Sequence, residues 1–185
     1  MYKRLFFPTL LIFLFFTLEG CSSQPGTIIT PPQYALDRAV RIGKIIIAGQ
    51  PTESEIRSLS QKRISNVINV RTPEEMNDST QVHFDEAKLV TDAHIVYTQL
   101  PLGGKKYPYR PEVLEDFIVV LQASTDSVLV HCKSGGRARW LYAAYEMKYL
   151  GKSPDEVMRA LEPYELWPLP LEKLTGIPLR IDTRK

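Results

Sequence analysis

The sequence predicts an α/β fold: a single domain built on a central, mainly parallel sheet flanked by helices. Three observations carry this. Short runs rich in Ile and Val, at residues 44–49, 67–70 and 127–131, have the length of buried strands. Helix-start signals stand between and after these runs, so strands alternate with helices, and such crossovers return the chain to the same sheet edge. Finally, the chain has 185 residues, 44% hydrophobic and 24% charged, with no repeat. That suits one ordinary core and excludes both a solenoid and wholesale disorder.

In chain order, Lys44-Ile45-Ile46-Ile47-Ala48-Gly49 reads as a buried strand. Thr52-Glu53-Ser54-Glu55 is a capping box that starts a helix running to about Lys62. Val67-Ile68-Asn69-Val70 is a second strand, ending at Arg71-Thr72-Pro73. A helix is expected over residues 85–93 and a third strand, of alternating character, over 94–100. After a loop at residues 101–110, Pro111 opens a helix with Val113, Leu114, Phe117, Ile118 and Leu121 on one side. Residues 127–131 form a fourth strand, apolar enough to be central. A helix over 138–150 stops at Gly151, and Ser153-Pro154-Asp155-Glu156 caps another. Trp140, Leu141 and Tyr145 are expected in the core.

The N-terminus reads as an address. Lys3 and Arg4 precede an apolar run ending at Leu18, too short to span a bilayer, which needs about 20 residues. Leu18-Glu19-Gly20-Cys21 resembles the lipobox of bacterial lipoproteins. The expected organisation is a signal peptide at residues 1–20, a lipidated Cys21 with a linker at 21–38, and the domain at 39–185. The product would be an extracytoplasmic, membrane-anchored lipoprotein, held through its N-terminal lipid, on the periplasmic face if the cell is Gram-negative. Cys132 would then be the one remaining thiol, inert and buried or kept for its reactivity. A net charge of +2 gives no electrostatic case for nucleic acid. His83 and His94 lack metal-ligand spacing, so neither a metal nor an organic cofactor is expected.

The most informative stretch is Val128-Leu129-Val130-His131-Cys132-Lys133-Ser134-Gly135-Gly136-Arg137. A buried strand delivers Cys132 into a short loop, and a helix begins directly after it. Backbone N–H groups from Lys133 to Arg137, with Gly135 and Gly136 permitting close approach, make a cradle for an oxyanion. The same groups favour thiolate over thiol and suit Cys132 as a nucleophile. Arg137 supplies a planar fork that matches two phosphate oxygens.

His131-Cys132-Lys133-Ser134-Gly135-Gly136-Arg137 resembles the signature loop of cysteine-dependent phosphatases. Ala48-Gly49-Gln50-Pro51-Thr52 and Ile64-Ser65-Asn66-Val67-Ile68-Asn69-Val70-Arg71 precede it in the order seen in one branch. The three together resemble the bacterial dual-specificity-phosphatase-like family that also occurs fused to beta-lactamase-like hydrolase domains, over roughly residues 40–162. The resemblance implies that Cys132 attacks phosphorus and Arg137 holds the phosphate, with Lys133, Ser134, Gly135 and Gly136 as the binding loop. His131 would orient that loop by hydrogen bonds. Ser134 either hydrogen-bonds Cys132 and supports it as a leaving group or is a turn residue.

Two departures stand out. Arg137 follows Cys132 after four residues, one fewer than the common tyrosine-phosphatase pattern; Arg139 follows after six, and position 138 is Ala138. The short spacing suits this bacterial branch and also resembles the loop of rhodanese sulfurtransferases. Arg139 is left as a helix-surface residue or an indirect partner. The family's general acid is an Asp in the loop corresponding to residues 101–110. Here that loop holds no Asp or Glu, and Gly103 stands where the acid would be sought. Losing such an acid costs about 10²–10⁴ in rate. Glu75, Asp78, Glu112 and Glu115 are substitutes from elsewhere, and the acid stays unassigned. Lys105, Lys106 and Arg110 form a positive rim, Tyr107 and Tyr109 line a pocket or pack, and Asn69 and Arg71 sit where they can brace the cradle.

The first functional expectation is a phosphatase acting on a phosphorylated protein or a small phosphoester through a phosphocysteine. The alternatives are a rhodanese-like sulfurtransferase carrying a Cys132 persulfide, and a catalytically weak module that binds a phosphorylated ligand.

Overall fold

Five strands, β1 (Val40–Ile42), β2 (Ile45–Ala48), β3 (Ile64–Asn69), β4 (Val96–Gln99) and β5 (Ser127–His131), make one sheet in the computed structural model, which describes residues 39–164 and 169–179. Their lateral order is β1-β2-β5-β3-β4, with β2, β5, β3 and β4 parallel and β1 antiparallel at one edge. The described residues fall within one compact unit, Pro31–Lys185. The proposed signal segment 1–20, Cys21 and the 21–38 linker lie outside the described residues.

Period-two alternation splits the apolar side chains between two layers. Ile45 and Ile47 of β2, Ile68 of β3, and Val128 and Val130 of β5 enter one core with α4 (Pro111–Ala123), α5 (Gly136–Tyr149), α6 (Pro154–Leu161) and α7 (Leu169–Thr175). Ile46, Ala48, Val67 and Leu129 point to the other face, where Ile56 of α1 (Glu53–Ser58) and Val90 of α3 (Glu86–Asp92) cover them. A buried Ile, Val or Leu contributes roughly 1.5–3 kcal/mol. This is why β5, apolar on both faces, occupies the middle of the sheet.

The capping boxes at Thr52–Glu55 and Ser153–Glu156 form as written in the sequence. Three elements were not expected. β1 is only three residues long, too short to show a period. α2 (Pro73–Asn77) is announced by a third capping box, Thr72–Glu75, with Pro73 in its first turn. α7 packs on α4 and α5, its Leu171 and Leu174 buried in the larger core. β3 also begins at Ile64 rather than Val67, because Ile64 is buried and pairs with Ser127 across a bulge. Trp140 and Tyr145, expected in the core, are only partly buried against it, whereas Leu141 is fully enclosed.

The parallel strands end at one edge, and every segment singled out in the sequence emerges there. β2 leads to Gly49-Gln50-Pro51, β3 to Val70-Arg71, β4 to the loop at 101–110, and β5 to Cys132. Ladder-like bonds continue past the strands, from Val70 N to His131 O (2.9 Å) and from Leu102 N to Val70 O (3.0 Å), so the exits are held in register.

Candidate active site

Cys132 is buried, and its Sγ accepts a hydrogen bond from the Gly135 N–H at 3.0 Å. Helix α5 starts at the next residue, so the sulfur faces the N-terminal end of a 14-residue helix. Gly135 takes φ +89°, and a Cβ there would stand 2.5 Å from an Arg139 Nη1 and 3.3 Å from Ala48 O. Its positive φ favours glycine, and the nearby Ala48 carbonyl leaves little room for a side chain, whereas the Arg139 end could move aside. Arg139 thus packs beneath the loop. The exposed Ser134 hydroxyl makes no bond to Cys132; the Gly135 backbone supplies the donor instead.

The loop rests on the segment after β2. Gln50 N donates to Lys133 O at 3.1 Å, and a Cβ on Gly49 would lie 3.2 Å from the same carbonyl. Glycine at 49 gives the two backbones room to approach this closely; a Cβ would require Lys133 O to give by a few tenths of an ångström.

Arg137 lies in the first turn of α5. Its Nη1 donates to Glu75 Oε2 (2.6 Å) and to Leu102 O (2.8 Å), and its Nη2 donates to Glu75 Oε1 (2.7 Å). A guanidinium has five N–H groups, so the Nε edge, with Nε–H and the second Nη2 proton, meets no partner among the described residues. That edge is a fork fit for two phosphate oxygens, held in place by a carboxylate on the other edge.

Glu75 was a candidate acid in the sequence, and its environment argues against that role. The Arg137 hydrogen bonds, opposed by burial, hold its carboxyl at about 2. A group ionised at every physiological pH has no proton to give; its work is to aim Arg137. The sign of its pH dependence follows. A carboxyl at about 2 when folded, against 4.5 in the unfolded chain, is less protonated in the native state. Its stabilisation is complete above pH 4.5 and is lost as pH falls toward 2. Urea unfolding of wild type and Glu75→Gln is expected to separate above pH 4.5 and to converge near pH 2; parallel curves across that window would refute the assignment.

The other carboxylates are no better placed as acids. Asp78 is capped by Thr80 and Gln81, Glu112 lies 3.8 Å from Arg110, and Glu115 lies 4.0 Å from Lys148 on an exposed face. In the rim, Lys106 pairs with Glu74 at 2.7 Å and lies over the Tyr107 ring.

Beneath the loop runs a buried polar network. His131 is fully buried, and its Nε2 lies 2.8 Å from Glu86 Oε1. An ionised carboxylate only accepts, so the proton sits on Nε2 and the ring is fixed. Glu86 also accepts from Asn69 Nδ2 (3.1 Å) and from Gln50 Nε2. Burial works against its charge, but His131, Gln50 and Asn69 together hold its carboxyl below the ordinary range. Arg71, 1% exposed, donates to Gln50 Oε1 (2.7 Å) and Gln81 Oε1 (2.8 Å), and its backbone N–H donates to Asn69 Oδ1 (2.8 Å). The Gln50 and Asn69-Val70-Arg71 segments are thus parts of one scaffold under Cys132. Gln50, Glu86 and the anchoring role of Glu75 were missed from sequence. Glu86 reads as an ordinary first-turn acid, and nothing local signals a partner 45 residues away.

No family model matches the chain. Beta-lactamase hydrolase-like proteins of Xylella fastidiosa, from strains Temecula1 and 9a5c, are each 29% identical over 114 residues, covering 62% of this chain. The chain spans only 26% of the length of these relatives. Among solved structures, a candidate phosphatase (DUF442) from Shewanella putrefaciens CN-32 superposes with TM-score 0.60 at 26% identity, over 75% of this chain and 91% of that one. The fold is phosphatase-like. PTPMT1 in complex with PI(5)P has TM-score 0.60 at 22% identity, over 75% of this chain and 92% of that one. Pseudomonas aeruginosa TpbA, with a Cys-to-Ser substitution and in complex with pTyr, has TM-score 0.51 at 14% identity, over 67% and 76%. The last two likenesses are of fold.

Proposed function

We propose that this chain is a cysteine-dependent phosphatase that hydrolyses phosphate monoesters. The observation that carries this is the pairing of a buried Cys132, with Gly135 N–H donating to Sγ, and an Arg137 whose Nε edge is open while Glu75 occupies the other. Cys132 Sγ attacks phosphorus, the P–O bond to the leaving group breaks, and the phosphoryl group is carried on sulfur. Arg137 and the loop N–H groups hold the equatorial oxygens, where charge is borne through the transfer. Water then attacks phosphorus, releasing inorganic phosphate and restoring the thiolate. Lys133, Ser134, Gly135 and Gly136 form the binding loop, and His131 supports it through Glu86. No metal or organic cofactor enters these steps.

The test is turnover of 4-nitrophenyl phosphate by the full chain with a chelator present, beside Cys132→Ser. This leaving group needs little protonation, so the absence of a carboxylic acid in the 101–110 loop does not hide activity. Sulfur transfer from thiosulfate to cyanide without phosphate release would favour the sulfurtransferase. Binding of phosphate esters with neither activity would favour a recognition module.

We also propose, from the basic start, the short apolar run and Leu18-Glu19-Gly20-Cys21, that the domain lies outside the cytoplasm, anchored by acylation of Cys21. Expressed in a bacterium fed radiolabelled palmitate, the full chain is expected to take up label and enter the detergent phase, and Cys21→Ser to do neither. Equal labelling of the two would discard the anchor.

A further inference from the structure

The loop at 101–110 lacks a carboxylate, yet it is fastened to α5 at both ends. Leu102 O accepts from Arg137 Nη1 at 2.8 Å, and a Cβ on Gly103 would lie 3.4 Å from the same nitrogen. At the far end, Tyr109 sets its ring edge-on against Trp140, with centroids 5.6 Å apart and planes at 85°. Trp140 follows Arg137 by three residues, so the two share a helix face and Tyr109 is carried alongside the arginine. The ring is half-buried against the core that contains Cys132, and its hydroxyl has no hydrogen-bond partner among the described residues. Arg137, Cys132 and Glu75 are each close enough to act on that hydroxyl electrostatically.

Building on the phosphatase reading, we propose that Tyr109 protonates the leaving group, so that the site accepts phosphates of aliphatic alcohols and not only those of phenols, which leave without help. As Sγ attacks phosphorus, the P–O bond breaks toward the bridging oxygen, which takes the Tyr109 hydroxyl proton and departs as the alcohol. The tyrosinate then accepts a proton from the water that attacks the phosphocysteine. The S–P bond breaks, and thiolate, phosphate and neutral Tyr109 are restored.

The acidity of the donor bears on which leaving groups it can help. Burial pushes the Tyr109 phenol up to about 12; Arg137 pulls the other way, and Cys132 and Glu75 add to the rise. Such a donor is still a stronger acid than an aliphatic alcohol, whose acidity resembles that of water. It is a weaker acid than an ordinary phenol at about 10, so it gives no help to an aryl ester. Phosphorylated hydroxyls of serine, glycerol or inositol type share the required chemistry.

The test compares kcat/KM of wild type and Tyr109→Phe on 4-nitrophenyl phosphate, glycerol 3-phosphate and a phosphoseryl peptide. Phenylalanine keeps the contact with Trp140. The expected result is a fall of about 10²–10⁴ in the ratio of alkyl to aryl activity. The two alkyl substrates separate a small ester from a protein as the source of the phosphate. An unchanged ratio, with both activities falling together, would make Tyr109 a packing residue only. Wild-type turnover confined to the aryl ester would overturn the proposal and leave the phosphatase reading intact. Aryl turnover that persists in Cys132→Ser, or none at all, would overturn the phosphatase reading itself.

Discussion

Cys132→Ser is expected to abolish phosphate release from 4-nitrophenyl phosphate, a loss on the scale of about 10⁶ that follows removal of a nucleophile from an intact site. The substitution changes one atom. The Gly135 N–H, the start of α5 and the Arg137 fork remain in place. A hydroxyl carries far less of its ionised form than a thiol at neutral pH, so the nucleophile is lost while the phosphate cradle survives. The variant should therefore still bind phosphate esters. Isothermal titration with a non-turned-over ester checks that half, and release of nitrophenol checks the other. Rapid acid quench of wild type should trap phosphate on Cys132. Residual turnover within tenfold of wild type would mean that another group attacks phosphorus.

Arg137→Lys is expected to lower kcat/KM by about 10²–10³, the cost of removing one well-placed donor to developing charge. Lysine keeps the positive charge and loses the fork. In the native site one guanidinium does two things at once: Glu75 and Leu102 O take three of its N–H groups, and the Nε edge is left for substrate. An ammonium has three donors on one atom and cannot divide them between two opposed edges. The loss should fall on kcat more than on KM if the fork is tightest on the transition state. Retained wild-type kcat in Arg137→Lys would transfer the phosphate-holding role elsewhere, with Arg139 the first residue to examine.

The carboxylate paired with Arg137 also explains a feature of the sequence. Thr72-Pro73-Glu74-Glu75 is a capping box, and Glu75 does accept from the Thr72 N–H at 2.9 Å. The same Oε2 receives Arg137 Nη1 from 62 residues away. A local motif thus carries a long-range duty that nothing within a few residues of it announces.

Much of the fold lies in short-range pattern. The Ile and Val runs, their length, the capping boxes at Thr52–Glu55 and Ser153–Glu156 and the proline at position 111 specify strands, helices and a parallel sheet, because period and end chemistry act within a few residues. The loop from His131 to Arg137 also stood out as a candidate site, since the proposed nucleophile, the glycines and the arginine fork lie adjacent in sequence. Tertiary structure alone decided what that loop stands on and what faces it. Glu86 comes under His131 across 45 residues, Gln50 reaches both Lys133 and Glu86, Glu75 grips Arg137, and Tyr109 is laid beside it by the Trp140 contact. No local pattern encodes those meetings, because each depends on parallel strands ending at one edge and bringing distant loops together there. The proposed nucleophile and phosphate-holding arginine were therefore legible in the sequence, and the residues that aim them were not.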